Sequence, residues 1–242
     1  SGGPVRTQII GTPDTEKEQQ AERVRDFMNY QIMHVMEEFD PELDQMLFYL
    51  PLTGSTFKKI YFDGTLGRAV SKFIPADDLI VPYLSTDLLS AERVTHVLRR
   101  TENEIKKMQV IGMYRDIDIQ PFYEDSRIQE AKNRIEGTQN TNYNNDNYTL
   151  LEMHCDLDLP GFENQDGIKL PYIITIDEGS GKVLSIYRNY AEDDAFYKKK
   201  QYFVHYKFLP GLGFYGFGLI HMLGGLSRTA TSALRQLIDA GT

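Results

Sequence analysis

An α+β fold is predicted, and three observations predict it. Helical periodicity dominates the first fifty or so residues, strand patterns come in clusters joined by tight turns, and no regular strand–helix–strand alternation appears. The chain has 242 residues, with 26 Lys and Arg against 35 Asp and Glu, one cysteine and no tryptophan. At about 150 residues per domain this makes one to two domains. A chain of this length buries enough core to fold without a disulfide or metal staple. Its 41% hydrophobic and 25% charged residues exclude whole-chain disorder, a collagen-like repeat and a disulfide scaffold. The lone Cys155 has no internal partner for a bridge, which fits a reducing compartment.

The elements follow in order. Thr12 is placed as an N-cap with Pro13 at the first helical position and Asp14 and Glu16 in the first turn. Val24, Phe27, Met28, Ile32, Val35, Met36 and Phe39 then recur at three- and four-residue spacing, one apolar face of a long helix. Asp40-Pro41-Glu42 opens a short helix carrying Leu43, Met46, Leu47 and Leu50, closed by Pro51 and Gly54. Phe57 to Phe62 and Ala69 to Ile74, separated by Asp63-Gly64-Thr65-Leu66-Gly67, form a hairpin. Val94 to Leu98 is a strand, and Thr101 with Glu104 is a capping box that starts a helix to about Gly112. A further helix is expected over Ser126 to Glu136, stopped by Gly137. The Asn-rich run 138–148 is a polar surface loop. Tyr148 to Leu159 alternates as a strand. Tyr172 to Asp177 pairs with Lys182 to Tyr187 across Glu178-Gly179-Ser180-Gly181, and Gln201 to Phe208 is a last strand. A glycine-rich stretch, Gly211 to Gly225, leads to a terminal helix from about Ser227 to Ala240.

The ends carry their own reading. Ser1-Gly2-Gly3-Pro4 lacks the basic-then-apolar order of a signal peptide and reads as a tag scar, so residues 1–11 are expected to be a disordered lead. At the other end Asp239-Ala240-Gly241-Thr242 stops as a helix closes, and the chain reads as an excised fragment. The longest apolar runs are four or five residues, against roughly 20 for a transmembrane helix, so no membrane partner is expected. The net charge of −9 weighs against a tight nonspecific grip on nucleic acid. It is compatible with a surface past which DNA slides without sticking.

Several constellations could carry chemistry. Gly211-Leu212-Gly213-Phe214-Tyr215-Gly216 has the spacing of a dinucleotide fingerprint after a strand, but Phe214 and Tyr215 crowd the turn and the expected helix begins about ten residues late. A packed Gly/aromatic connector explains the same residues. His154, Asp156 and Asp158 share one face of a strand, as three divalent-metal ligands would, or as the solvent side of a half-buried strand. Asp116 and Asp118 alternate around Ile117 and Ile119, a carboxylate pair able to do acid–base work or simply exposed. His34, His96, His205 and His221 have no neighbouring partners that suggest a triad, and Cys155 has no motif of a nucleophile. Lys198-Lys199-Lys200 follows Glu192-Asp193-Asp194 as a solvated turn of both signs. No residue is therefore assigned as catalytic, cofactor-binding or metal-binding, and no cofactor is expected. An enzyme dependent on metal or nucleotide, and a module binding a partner through the Asn-rich loop, stand as alternative functions.

Ordered phrases say more than any of these motifs. They are Leu47-Phe48-Tyr49-Leu50-Pro51-Leu52-Thr53-Gly54-Ser55-Thr56-Phe57, Phe73-Ile74-Pro75-Ala76-Asp77-Asp78, Arg93-Val94-Thr95-His96, Gly213-Phe214-Tyr215-Gly216-Phe217-Gly218 and Gly225-Leu226-Ser227 running to Leu237-Ile238-Asp239-Ala240-Gly241. In this order they resemble the portal proteins of tailed bacteriophages, specifically those of short-tailed phages and related prophages. The resemblance covers nearly the whole chain from about Thr12.

The resemblance implies a structural protein without a catalytic centre, a head-to-tail connector at one capsid vertex. It implies a homo-oligomeric ring of about twelve subunits, through whose channel double-stranded DNA is packaged and ejected. Terminase, capsid and head-completion or tail proteins would be its partners, and the virion its location, after synthesis in the cytoplasm of a bacterial host. Residues 12–225 would be a wing-like α+β domain and 226–242 the truncated start of a stem-like helix. Clip, tunnel loop and crown would lie elsewhere in a longer protein. Leu226, Ala230, Ala233, Leu234, Leu237 and Ile238 form one face of that helix, suited to neighbouring helices in a ring or to packing within one subunit.

Overall fold

The computed structural model describes residues 3–121, 147–164 and 166–241. It is an α+β protein, with four α-helices among the described residues and two antiparallel sheets. The stretch expected as one wing-like domain over 12–225 is built of two compact units, Ser1–Ala76 with Tyr202–Thr242, and Asp77–Gln201.

The first unit begins with Val5 and Thr7 tied to helix α1 (Thr15–Tyr30): the Asn29 side chain accepts from the Val5 amide and donates to its carbonyl, and Thr7 donates to the Ala21 carbonyl. This part of the lead expected to be disordered is anchored. Asp14, in extended backbone, is the N-cap in place of Thr12, and the helix starts at Thr15, beyond Pro13. The long apolar face is one helix only to Tyr30. Gln31–Val35 is a π-turn, and α2 runs Phe39–Thr53. Pro51 lies inside α2. The stop is Gly54, whose φ of 85° needs a residue without Cβ and whose amide closes on Leu50.

Strands β1 (Ser55–Asp63) and β2 (Arg68–Pro75) form the expected hairpin, with Phe57 opposite Ile74. Asp63 caps the turn through the amides of Thr65 and Leu66. The third strand of this sheet is β8 (Phe203–Lys207), antiparallel to β1 with His205 opposite Phe57, in the order β2-β1-β8. Helix α2 packs on the hairpin, fixed by Glu42 accepting from the Phe73 amide at 2.6 Å and by a Glu38–Arg68 ion pair at 2.8 Å. Lys58, almost wholly buried, places its ammonium 4.4 Å from the Phe39 ring centroid.

The second unit is a five-stranded sheet ordered β3-β4-β5-β6-β7, where β3 is Leu79–Ile80, β4 Arg93–Thr101, β5 Asn147–Leu157, β6 Leu170–Asp177 and β7 Val183–Arg188. The capping box forms as expected: Thr101 Oγ1 accepts from the Glu104 amide and Glu104 reaches back to the Thr101 amide, starting α3 (Glu102–Val110). The β6–β7 hairpin pairs Tyr172 with Arg188 and shifts register between Thr175 and Ile176. Tyr148 lies in β5 as the strand reading expects, its buried side chain joining the Ile105, Leu150 and Leu184 cluster, and Asn147, expected in the Asn-rich loop, opens the strand one residue earlier. The helix expected over 126–136 and the loop up to 146 lie outside the described residues.

Both faces of this sheet carry core. Ile105, Tyr148, Leu150 and Leu184 cluster on one side, with Tyr114, Ile117 and Ile119 packed against them. Met153, Cys155 and Leu157 pack with Leu170, Tyr172 and Ile174 on the other. The sheet thus packs on both faces over part of its length, while Asp156 near the end of β5 stays exposed.

Candidate assembly surface

The chain leaves β8 into the glycine–aromatic stretch, where several backbone amides are held by distant partners. Phe208 donates to the Gly54 carbonyl, Leu209 and Phe217 exchange both backbone bonds, and Gly216 donates to Ser55 Oγ at 2.8 Å. Gly216 and Gly218 pass so near Leu52 and Gly54 that a Cβ on either would run into backbone. Rings lock the same place. His205 lies 4.4 Å from Phe57 and 4.7 Å from Phe214, centroid to centroid, and Phe214 is buried. Burial, with Lys207 beside it, pushes the His205 imidazole down to about 4. It is a neutral packing group at neutral pH.

Out of this clamp rises α4 (Leu219–Gly241), 23 residues, about 34 Å at 1.5 Å per residue. It starts eight residues before the expected Ser227. Gly224 and Gly225 lie within it, because the Gly218 amide finds a cap in His221 Nδ1 at 3.1 Å and the helix propagates from there. Beyond its root α4 is exposed throughout, and Leu226 and Leu237 are each 70% exposed. Leu219, Leu223, Leu226, Ala230, Ala233 and Leu237 follow one another at alternating steps of four and three, the spacing of a helix-packing seam. A stripe of this length is far more apolar surface than a helix facing only water presents.

A second exposed apolar surface in the same unit was not singled out from the sequence. Phe27, Met28, Val35, Met36, Ile60 and Phe62 line a groove of about 660 Å³ between the α1–π-turn segment and the hairpin. Its signal was present in the 24-to-39 periodicity. Periodicity marks the face as apolar without saying what covers it, and α1 buries none of its residues.

The residues singled out for chemistry are dispersed. In the Gly211 loop the amides of Gly216, Phe217 and Gly218 go to Ser55, Leu209 and His221, as in a packed connector, and α4 starts only three residues after Gly216. His154 is buried, contrary to the solvent-side reading, with Nε2 2.8 Å from Glu152 Oε1, while Asp156 and Asp158 are exposed. Among the described residues no group of three His, Cys, Asp or Glu could hold a metal ion. Asp116 and Asp118 are exposed on a segment outside the strands, with a tight turn at Asp116 where the Ile117 amide donates to the Arg115 carbonyl, their isoleucine neighbours packed inward. His34 is exposed beside Tyr30, and His96 is buried in β4. Burial, then the neighbouring Asp156, pushes the Cys155 thiol up, away from thiolate character. Among the described residues no helix is long and apolar enough to cross a membrane.

Compared with protein-family models and with curated proteins, the chain matches none.

Proposed function

We propose that this chain is the wing portion of a portal protein, the head-to-tail connector of a tailed phage capsid, and that it acts by assembly and not by catalysis. The ordered phrases from Leu47 to Gly241 support this reading. The observation that carries it is α4: a long helix, rigidly rooted in a glycine–aromatic clamp, whose apolar seam finds no cover among the described residues. A surface of that kind belongs to a subunit that is finished only by its neighbours.

In this role the subunits close into a ring of about twelve at the portal vertex of the virion. DNA passes through the channel, terminase docks for packaging, and capsid and head-completion or tail proteins attach to the same ring. The acidic balance of −9 suits a conduit, since like charge keeps phosphates from adhering to its wall. Native mass spectrometry and negative-stain imaging of the longer protein that carries this chain test the reading. A closed ring of about a dozen subunits with a central hole is expected; a monomer or dimer overturns it.

A further inference from the structure

We infer that the outer edge of β8 receives an extended, acidic segment of another polypeptide chain, which adds to the β2-β1-β8 sheet as a fourth strand. The inference goes beyond the proposed function: it names a docking edge and the chemistry of what docks there, and it does not depend on ring closure.

The two edges of this sheet are built in opposite ways. The Ile60 amide donates to the Tyr202 carbonyl and the Phe208 amide to the Gly54 carbonyl, so the even-numbered residues of β8 bond to β1. The odd-numbered residues of β1 therefore bond to β2, and Ala69, Ser71, Phe73 and Pro75 turn their backbone groups outward. Each of these four positions is blunted. The Ala69 carbonyl accepts from Arg68 Nη1 at 3.3 Å, the Ser71 amide donates to Glu38 Oε1 at 3.3 Å, the Phe73 amide donates to Glu42 Oε2 at 2.6 Å, and Pro75 has no N–H. Glu38 and Glu42 stand four residues apart at the start of α2, a rise of about 6 Å, which matches the roughly 6.7 Å between alternate residues of a strand. Charged side chains and proline protect an edge from further pairing.

The β8 edge has no such protection. It ends the sheet, and His205 and Lys207 turn their N–H and C=O groups away from β1. Among the described residues no backbone group bonds to them there, and the exchange between Leu209 and Phe217 closes the edge only beyond Lys207. Outward groups of this kind are a template for an added strand. Charge sets the composition of that strand. From Ala195 to Ile238 the chain has no Asp or Glu, within a protein of net charge −9. Exposed Lys207 and half-buried Lys59, which stands opposite Phe203, share one face of the sheet. A carboxylate opposite Lys207 makes a favourable cross-strand pair. On the other face Val204 is 39% exposed, so the residues that alternate with the acidic ones are apolar.

The test titrates the chain with a capped hexapeptide of alternating Glu and Val, read by amide NMR and amide exchange. The His205 and Lys207 amides are expected to shift and to exchange more slowly, while those of Ser71 and Phe73 stay as they are. A hexapeptide of alternating Lys and Val is expected to bind roughly ten-fold more weakly, since like charges then stand opposite each other. Lys207→Glu should reverse that preference. Lys207→Pro removes an outward donor, leaves the bonds to β1 in place and should abolish binding of both peptides. Circular dichroism checks that both variants fold, and Lys207→Glu carries the test if the proline variant does not. No response at His205 and Lys207 at millimolar peptide overturns the inference. So does an equal response at Ser71 and Phe73, or a Lys207→Glu chain that keeps the wild-type preference. Protection of the two β8 amides that grows with the concentration of the chain alone would show a second copy on this edge in place of an acidic segment, and overturn it too.

Discussion

The amide of Gly216 donates to the buried hydroxyl of Ser55 at 2.8 Å, joining residues 161 positions apart. The same hydroxyl lies 3.1 Å from His205 Nε2. With two lone pairs and one proton, Ser55 Oγ accepts from Gly216 and can pair with Nε2 in either tautomer of His205. Ser55→Ala leaves a buried amide without an acceptor. A loss of about 1–3 kcal/mol is expected, lowering Tm by about 2–4 °C per kcal/mol. An unchanged thermal melt would mean that the Gly216 loop is not held by this bond.

The glycines of the clamp separate into two kinds. Gly54→Ala strains a φ of 85° and drives a Cβ into the backbone at Gly216–Gly218, and Gly218→Ala drives one into Leu52. Each should cost about 3 kcal/mol or more, since backbone and not a pliable side chain must move. Gly213→Ala meets nothing within 4 Å and is expected to be neutral or slightly stabilising. Denaturant unfolding of the three variants checks the ranking, which equal midpoints would refute.

Acid should weaken the clamp. The folded His205 titrates at about 4, below its ordinary 6.5. Between these values the unfolded chain takes up a proton that the folded chain refuses, so stability falls as pH drops from 6.5 to 4 and this contribution levels off below. The ring is half-exposed, which limits the effect to roughly 1 kcal/mol. His205→Phe should flatten that part of the stability profile; an identical slope in the variant would assign it to other groups.

In the second unit Asp177 is fully buried, with Oδ2 accepting from the amides of Gln120 and Ser180 and from the Ser180 hydroxyl. It thereby closes the β6–β7 turn and pins the segment beyond α3. Asp177→Ala is expected to cost about 3 kcal/mol or more through the donors it strands. Amide exchange should accelerate at Ser180 and Gln120 first. Unaltered exchange there would show that the carboxylate is not what orders the turn.

Much of this fold was legible where the signal is short-range. The β1–β2 hairpin, the Thr101–Glu104 box and the β6–β7 hairpin each depend on residues a few positions apart, whose turn and cap chemistry acts before anything else packs. The readings that went astray turn on packing between distant segments, joined at α4 by the local Gly218–His221 cap. Ser227 was placed as a helix start because glycines 224 and 225 disfavour helix, yet a clamp built from Gly54 and His221 starts α4 at Leu219. His154 was put toward solvent because its strand alternates, and the packed segments of the second unit bury it. Of the assembly surface, the α4 seam was readable as a periodic face, whereas its exposure was not.

Sequence alone determined the α+β class, the order of the elements and the apolar faces of α1 and α4, because periodicity and capping are local properties of a chain. Tertiary structure decided that β8 returns to β1 across some 140 residues, that the glycine loop packs as a clamp on Gly54 and Ser55, and that two apolar faces stay uncovered among the described residues. These depend on which distant surfaces exclude water from one another, and hydrophobic burial carries no address along the chain.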